Sequence, residues 1–167
     1  GTITPTSGEI LSDGSISFPV GFAGSFHPDL TGAQNTRFVA RIYGVETGAL
    51  LDYVADFAEL GKAFHRPFRS YSSGMRSRLA FGVSMGIPFD TYLLDEVTSV
   101  GDAAFQRKST EYLQARMASA GVFFVSHSTA MVRDICNAAA ILENGNLRYF
   151  EDVDEGIDLH EFMLRNR

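Results

Sequence analysis

Residues 71–102 read YSSGMRSRLAFGVSMGIPFDTYLLDEVTSVGD, and the rest of the chain is arranged around this run and one later residue, His127. Ser72, Ser73 and Gly74 open a predicted helix, whose first N–H groups lack partners within the helix and carry partial positive charge. A Ser-Ser-Gly turn there suits phosphate oxygens, with Gly74 letting the backbone approach and Arg76 and Arg78 adding to the field; standing alone, the same turn serves as a plain N-cap. The apolar strand TYLLDE ends in Asp95 and Glu96, and the strand VFFVS is followed by His127. Ligands of open parallel sheets bind outside the carboxyl ends of the strands, so two acids and an imidazole are expected at one sheet edge. Paired acids in that place suit metal-assisted phosphoryl chemistry, one holding Mg²⁺ and the next orienting or deprotonating a water. An isolated LLDE fits the capping of a following turn as well, and an isolated His fits packing.

The bulk composition narrows the setting. A chain of 167 residues suits one domain, and 45% hydrophobic with 20% charged residues excludes general disorder. A net charge of −6 argues against a nucleic-acid backbone binder, which needs a cationic face, so no nucleic-acid partner is expected. Cys136 is the only cysteine and cannot form an internal disulfide. His27, His65 and His160 make no metal-ligand spacing with it. No run approaches the ~18–20 apolar residues of a membrane span.

In chain order, residues 1–20 read as short strands with turns, including a hairpin-like SDGSISFPV in which Ile16, Phe18 and Val20 alternate with Ser15, Ser17 and Pro19. Residues 21–30 read as a loop. Thr31 caps a helix with Phe38, Val39, Ile42 and Tyr43 at helical spacing and Gly44 as its stop. A second helix is expected over residues 52–60, with Leu51, Val54, Ala55 and Ala58 on one face, and then a basic connector over 61–70. From Asp90 strand and helix alternate: TYLLDE, a helix over 102–118 with Phe105, Leu113 and Met117 inward, then VFFVS, which is a βαβ unit with parallel strands. A helix from Ser128 to about Cys136, two strands joined at Asn144-Gly145, and a polar helix over 153–167 complete the chain.

YSSGM before a helix, then YLLDE, SVGD and a strand ending in His is similar to the ATPase subunit of ATP-binding cassette (ABC) transporters. With TRFVARIYG upstream, the wording resembles the branch that exports capsular polysaccharides and related surface glycans. The resemblance covers nearly the whole chain. It implies an α/β, P-loop NTPase-like ABC ATPase fold with a parallel sheet core, a small antiparallel β piece and a helical subdomain. Its division would be 1–30 for a β-rich piece and Q-loop region, 31–87 for the helical subdomain with the signature, and 88–167 for the carboxyl part of the α/β core.

By the same resemblance Ser72, Ser73 and Gly74 are the signature residues that meet the γ-phosphate of ATP held by the opposite subunit. Asp95 supports Mg²⁺ through water, Glu96 polarises the attacking water, Asp102 closes the D-loop and His127 contacts the γ-phosphate. It further implies ATP and Mg²⁺ as ligands, a homodimer of ATPase subunits, a membrane-spanning permease docked on the helical subdomain, and a peripheral place on the cytoplasmic face of the bacterial inner membrane.

Three departures stand out. No G-x-x-x-x-G-K-[ST] loop occurs in the 167 residues, and the chain starts at Gly1 without Met, so an amino-terminally truncated domain, inactive alone, is expected. Counting back from Pro28 places Phe22 where most members carry the Q-loop glutamine. The signature is YSSGM rather than LSGGQ, and the D-loop SVGD rather than SALD. Two rivals remain: a non-hydrolysing module that docks on the partner, and a soluble ABC-type ATPase acting on nucleic acid, which the acidic balance opposes.

Overall fold

The computed structural model describes residues 4–21, 24, 26–95 and 103–166. Its organising strand is β1 (Thr91–Asp95), which pairs in parallel with β2 (Gly121–Val125), Asp95 lying opposite Val125. Helix α4 (Ala103–Met117) belongs to the connection between them, as a parallel pair requires. The expected βαβ unit is present.

The expected hairpin over 12–20 is not. Residues 15–20 instead run parallel along the other edge of β1: Ser17 N donates to Thr91 O (2.9 Å), Val20 N donates to Leu93 O (2.9 Å), and Ile16 forms a bridge to Thr91. Pro19 has no N–H to give, and the buried Ser17 Oγ accepts from Leu93 N (2.9 Å), so the ladder is irregular. The segment is clasped at its start. Ser15 N and Oγ both donate to Asp90 Oδ2, at 2.6 and 2.7 Å. Gly14, at φ 81°, leaves room where a Cβ would stand 2.6 Å from that oxygen.

Before β1 lies a helical block of α1 (Gly32–Tyr43), α2 (Thr47–Ala58), two 3₁₀ turns (Gly61–His65 and Phe68–Ser70) and α3 (Ser73–Gly86). Thr31 and Gln34 form a reciprocal capping box, and Gly44 closes α1 at φ 68°. The inward face of α1 is Asn35, Thr36, Val39 and Ala40; of the expected stripe only Val39 is buried, while Phe38, Ile42 and Tyr43 are exposed. Helix α2 begins earlier than expected because the Glu46 carboxylate caps it, accepting from Gly48 N (2.8 Å) and Ala49 N (2.5 Å). Its buried face is Leu50, Val54, Phe57 and Ala58; Ala55 points outward. In α3 every residue from 79 to 85 is buried, which marks it as the central helix of the core. Gly82 and Gly86, one turn apart, let α3 approach Val54, Phe57, Leu50 and Tyr53 of α2 closely.

After β2 come α5 (Thr129–Ile135), the antiparallel pair β3 (Ala139–Glu143) and β4 (Asn146–Phe150), and α6 (Val153–Arg165). Asn144 and Gly145 both have positive φ, 49° and 77°, as a two-residue hairpin turn of the primed type requires. Gly156 brings α6 onto this hairpin, since a Cβ there would lie 2.6 Å from Ala139 Cβ. Phe105 and Leu113 of α4 are buried as expected, and Met117 is half-buried. No described helix is long and apolar enough to cross a membrane.

Candidate functional site

The sheet edge carries the first half of the site. Asp95 is the last residue of β1 and is exposed, and His127 stands two residues beyond Val125, the end of the neighbouring strand. The parallel register that sets Asp95 against Val125 therefore brings a carboxylate and an imidazole to the same edge. Beyond His127, Ser128 caps α5: its Oγ accepts from Met131 N (3.4 Å), and its own N–H donates to Ser126 Oγ (3.1 Å). Glu96, Asp102 and Phe22 lie outside the described residues. Among the described residues no group of three His, Cys, Asp or Glu side chains is arranged to hold a metal ion. Asp95 is a single hard oxygen donor open to solvent, which fits a magnesium ion held through its water shell.

The second half is the start of α3. Ser72 caps the helix, its Oγ accepting from Met75 N (3.3 Å) in the manner of a plain N-cap. Ser73 is exposed, and a Cβ placed on Gly74 would meet nothing within 4 Å. The turn is thus open to a group from outside the chain, and Gly74 is not needed for internal packing. The two arginines also make contacts with other elements. Arg76 donates to Arg69 O (3.2 Å) and lies 5.4 Å from the Phe68 ring centre, while Arg78 stacks 4.7 Å over Phe105 and reaches Glu59 at 3.8 Å. Both guanidinium groups have structural partners within the chain.

Two positioning residues escaped the sequence reading. Tyr71 is buried immediately before the turn; its hydroxyl donates to Ala63 O (2.7 Å), and its N–H to Phe68 O (3.0 Å), which anchors the turn on the connector. Burial also raises the pKa of this phenol. Asn35, fully buried, accepts from His27 N (2.8 Å) and donates to His27 O (3.1 Å), Leu30 O (3.3 Å) and Thr31 O (3.1 Å). It shapes the loop that follows the Phe22 region. The tyrosine beside Ser-Ser-Gly was the available signal for the first; a lone Asn on an apolar helix face was the signal for the second.

No protein-family model matches the chain. Solved structures that share its fold include the following two. One is a metal-chelate-type ABC transporter in an inward-facing conformation, with TM-score 0.64 and 21% identity over 92% of this chain and 64% of that one. The other is the ATP-binding subunit of an ABC transporter, with TM-score 0.67 and 19% identity over 85% of this chain and 60% of that one. The fold, a parallel pair with a helical block and a small antiparallel sheet, is therefore that of an ABC ATPase.

Sequence relatives define the branch. The polysialic acid transport ATP-binding protein KpsT of Escherichia coli is 45% identical over 157 residues, 92% of this chain and 70% of its own length. ATP-binding protein BexA of Haemophilus influenzae is 41% identical, over 93% of this chain and 71% of its own. The capsule polysaccharide export ATP-binding protein CtrD of Neisseria meningitidis is 40% identical, over 98% of this chain and 76% of its own. The chain belongs to the ATP-binding proteins of polysaccharide-export ABC transporters.

Proposed function

We propose that this protein hydrolyses ATP to power export of a capsular polysaccharide or related surface glycan, acting in pairs beneath a membrane-spanning permease on the cytoplasmic face of the inner membrane. The observation that carries the reading is the meeting of Asp95 and His127 at the carboxyl ends of adjacent parallel strands, in a chain 45% identical to a polysialic acid transport ATP-binding protein. In this reading the helical block within 31–87 presents the signature turn and the permease-docking surface, residues 1–30 carry the Q-loop region with Phe22 at its glutamine position, and residues 88–167 carry the sheet edge.

The chemistry divides among named groups. Ser72, Ser73 and Gly74 receive γ-phosphate oxygens of ATP held by the opposite subunit, through hydroxyls and the free N–H groups of the α3 start. Asp95 would hold Mg²⁺ through water, and the ion would supply the positive charge that phosphoryl transfer calls for. Glu96 orients a water and takes its proton as the water oxygen bonds to the γ-phosphorus and the bond to the β–γ bridging oxygen breaks. His127 hydrogen-bonds the γ-phosphate, and Asp102 orders the loop between the two sites. Phosphoryl transfer rests on positioning and electrostatics, so residues 1–167, which contain no G-x-x-x-x-G-K-[ST] run, should turn over ATP negligibly by themselves.

The test is ATP hydrolysis in membranes by the protein carrying an upstream G-x-x-x-x-G-K-[ST] segment together with its permease, beside Glu96→Gln and His127→Ala. Glycan-coupled turnover, lost by a factor of about 100 or more in either variant, is the expected outcome. No turnover in the parent, or unchanged turnover in both variants, sinks the reading.

A further inference from the structure

Three helices that carry different parts of the chain meet at the end of α2. Glu59, the residue after α2, is held at φ 52° and ψ 38°, a left-handed conformation that its Cβ disfavours. From there one carboxylate oxygen accepts from Lys108 Nζ of α4 at 2.6 Å, and the other lies 3.8 Å from Arg78 Nη1 of α3. Lys108 Nζ also donates to Phe57 O (3.1 Å), capping the last turn of α2 from a different helix, and lies 5.0 Å from the centre of the Phe57 ring. Beneath this pair Phe57 touches Phe81 of α3 and Phe105 and Tyr112 of α4, at centroid distances of 5.7, 5.4 and 4.9 Å.

The two cations are not scattered surface charges. Arg78 stands one turn beyond Gly74 on the helix that opens with the signature turn, and Lys108 stands in the second turn of the helix that follows residues 96–102. Lys108 and Arg78 are only about a quarter exposed or less, at 26% and 20%, whereas the Glu59 carboxylate between them is 56% exposed, so solvent screens the group in part. A glycine would fit the backbone at position 59 with less strain, yet the residue present carries a carboxylate between two cations.

We infer that Glu59, with Lys108 and Arg78, is a positioning device that fixes the signature end of α3 against α4 and thereby sets where the Ser72–Gly74 turn stands relative to Asp95 at the end of β1, so that both half-sites can meet their counterparts in the opposite subunit. None of the three touches ATP; they act through the two helices they join. The inference rests on the reading of those turns as parts of an ATPase.

Glu59→Gly and Glu59→Gln, tested in the complete ATP-binding subunit with its permease, separate this role from a structural one. Glycine relieves the left-handed backbone, so Glu59→Gly should leave the thermal unfolding midpoint within a few degrees of the parent. It should still lower kcat for ATP by about tenfold with KM little changed, because the geometry between the two half-sites is lost while ATP contacts remain. In a double-mutant cycle, Lys108→Met should lower kcat in the parent but cost little further in the Glu59→Gln background, where the pair is already broken. Turnover in the parent with unchanged kcat in both Glu59 variants overturns the device alone. A kcat loss that tracks the unfolding midpoint, or fully additive losses in the cycle, overturns it as well, and absence of turnover in the parent overturns the ATPase reading beneath it.

Discussion

Replacing Gly86 by alanine tests the packing that holds α3 in the core. A Cβ built there meets Leu50 Cδ1 in overlap and lies 2.8 and 3.1 Å from Cδ1 and Cε1 of Tyr53. Leu50 is 3% exposed, and the Tyr53 ring is fixed between Phe57 (5.8 Å) and Tyr112 (6.3 Å), so neither neighbour can step aside freely. Overpacking of this kind costs about 1–3 kcal/mol, and the helix-propensity gain of alanine, up to ~1 kcal/mol in an interior, is smaller at the last residue of a helix. The net expectation is a loss of about 1–2 kcal/mol, which for a domain of this size lowers the melting temperature by roughly 3–6 °C. Gly82 is the internal control. Its Cβ would stand 3.2 Å from Phe57 Cδ1 and 3.7 Å from Val54 Cγ1, a contact that small shifts relieve. Gly82→Ala should then fall within about 0.5 kcal/mol of the parent, the propensity gain offsetting the crowding. Urea unfolding of both variants, with a common m-value, measures the difference directly. A Gly86→Ala midpoint at or above that of the parent would refute the reasoning.

Asn35→Ala should cost about 1–2 kcal/mol, because it leaves His27 N without its acceptor while the three carbonyls keep their backbone donors; loss of less than 0.5 kcal/mol on urea unfolding would show the loop to be held otherwise. Ser72→Ala should cost about 1 kcal/mol through the lost N-cap, whereas Ser73→Ala, whose side chain is exposed, should cost a few tenths at most. Burial, followed by the nearby Tyr112, raises the Tyr53 phenol to about 12 from an ordinary value near 10. The folded state thus holds that proton more tightly: its contribution is complete below pH ~10 and is lost as pH rises through about 12, and Tyr53→Phe should remove that alkaline slope. The Ser15 N–H and hydroxyl lower the Asp90 pKa, so this contribution is present above the ordinary carboxylate value and disappears as pH falls through the lowered one. Asp90→Asn should flatten the acid limb of stability against pH.

The sequence made the βαβ unit legible because its strands are short apolar runs that end in polar residues, and the helix between them buries Phe105 and Leu113. It made α1, α3, α5 and the β3–β4 turn legible through local chemistry: Thr31, Ser72, Ser128 and Asn144-Gly145 act within a few residues of themselves. What failed was long-range. Alternation in residues 15–20 cannot say whether the partner strand is the next one or β1, and Ser17 Oγ replaces a ladder carbonyl that no pattern announces. The inward face of α1 was misassigned because it buries Asn35 and Thr36 while leaving Phe38 and Ile42 exposed. At the site, Asp95 and His127 were legible as a carboxylate and an imidazole at or just beyond the ends of adjacent strands, while Glu96 lies outside the described residues. The structural employment of Arg76 and Arg78 was not legible, since it depends on rings and carbonyls from other elements.

The clasp between Ser15 and Asp90 joins positions 75 residues apart. Closing so long a loop carries a large entropic cost, whereas α1, α2 and α3 meet neighbours close by in the chain. The expected folding order is therefore the helical block first, β1 next and residues 15–20 last. Hydrogen exchange of the native protein checks it: the amides of Ser17 and Val20 should exchange faster than those of Leu79 and Val83, and equal protection would refute the order.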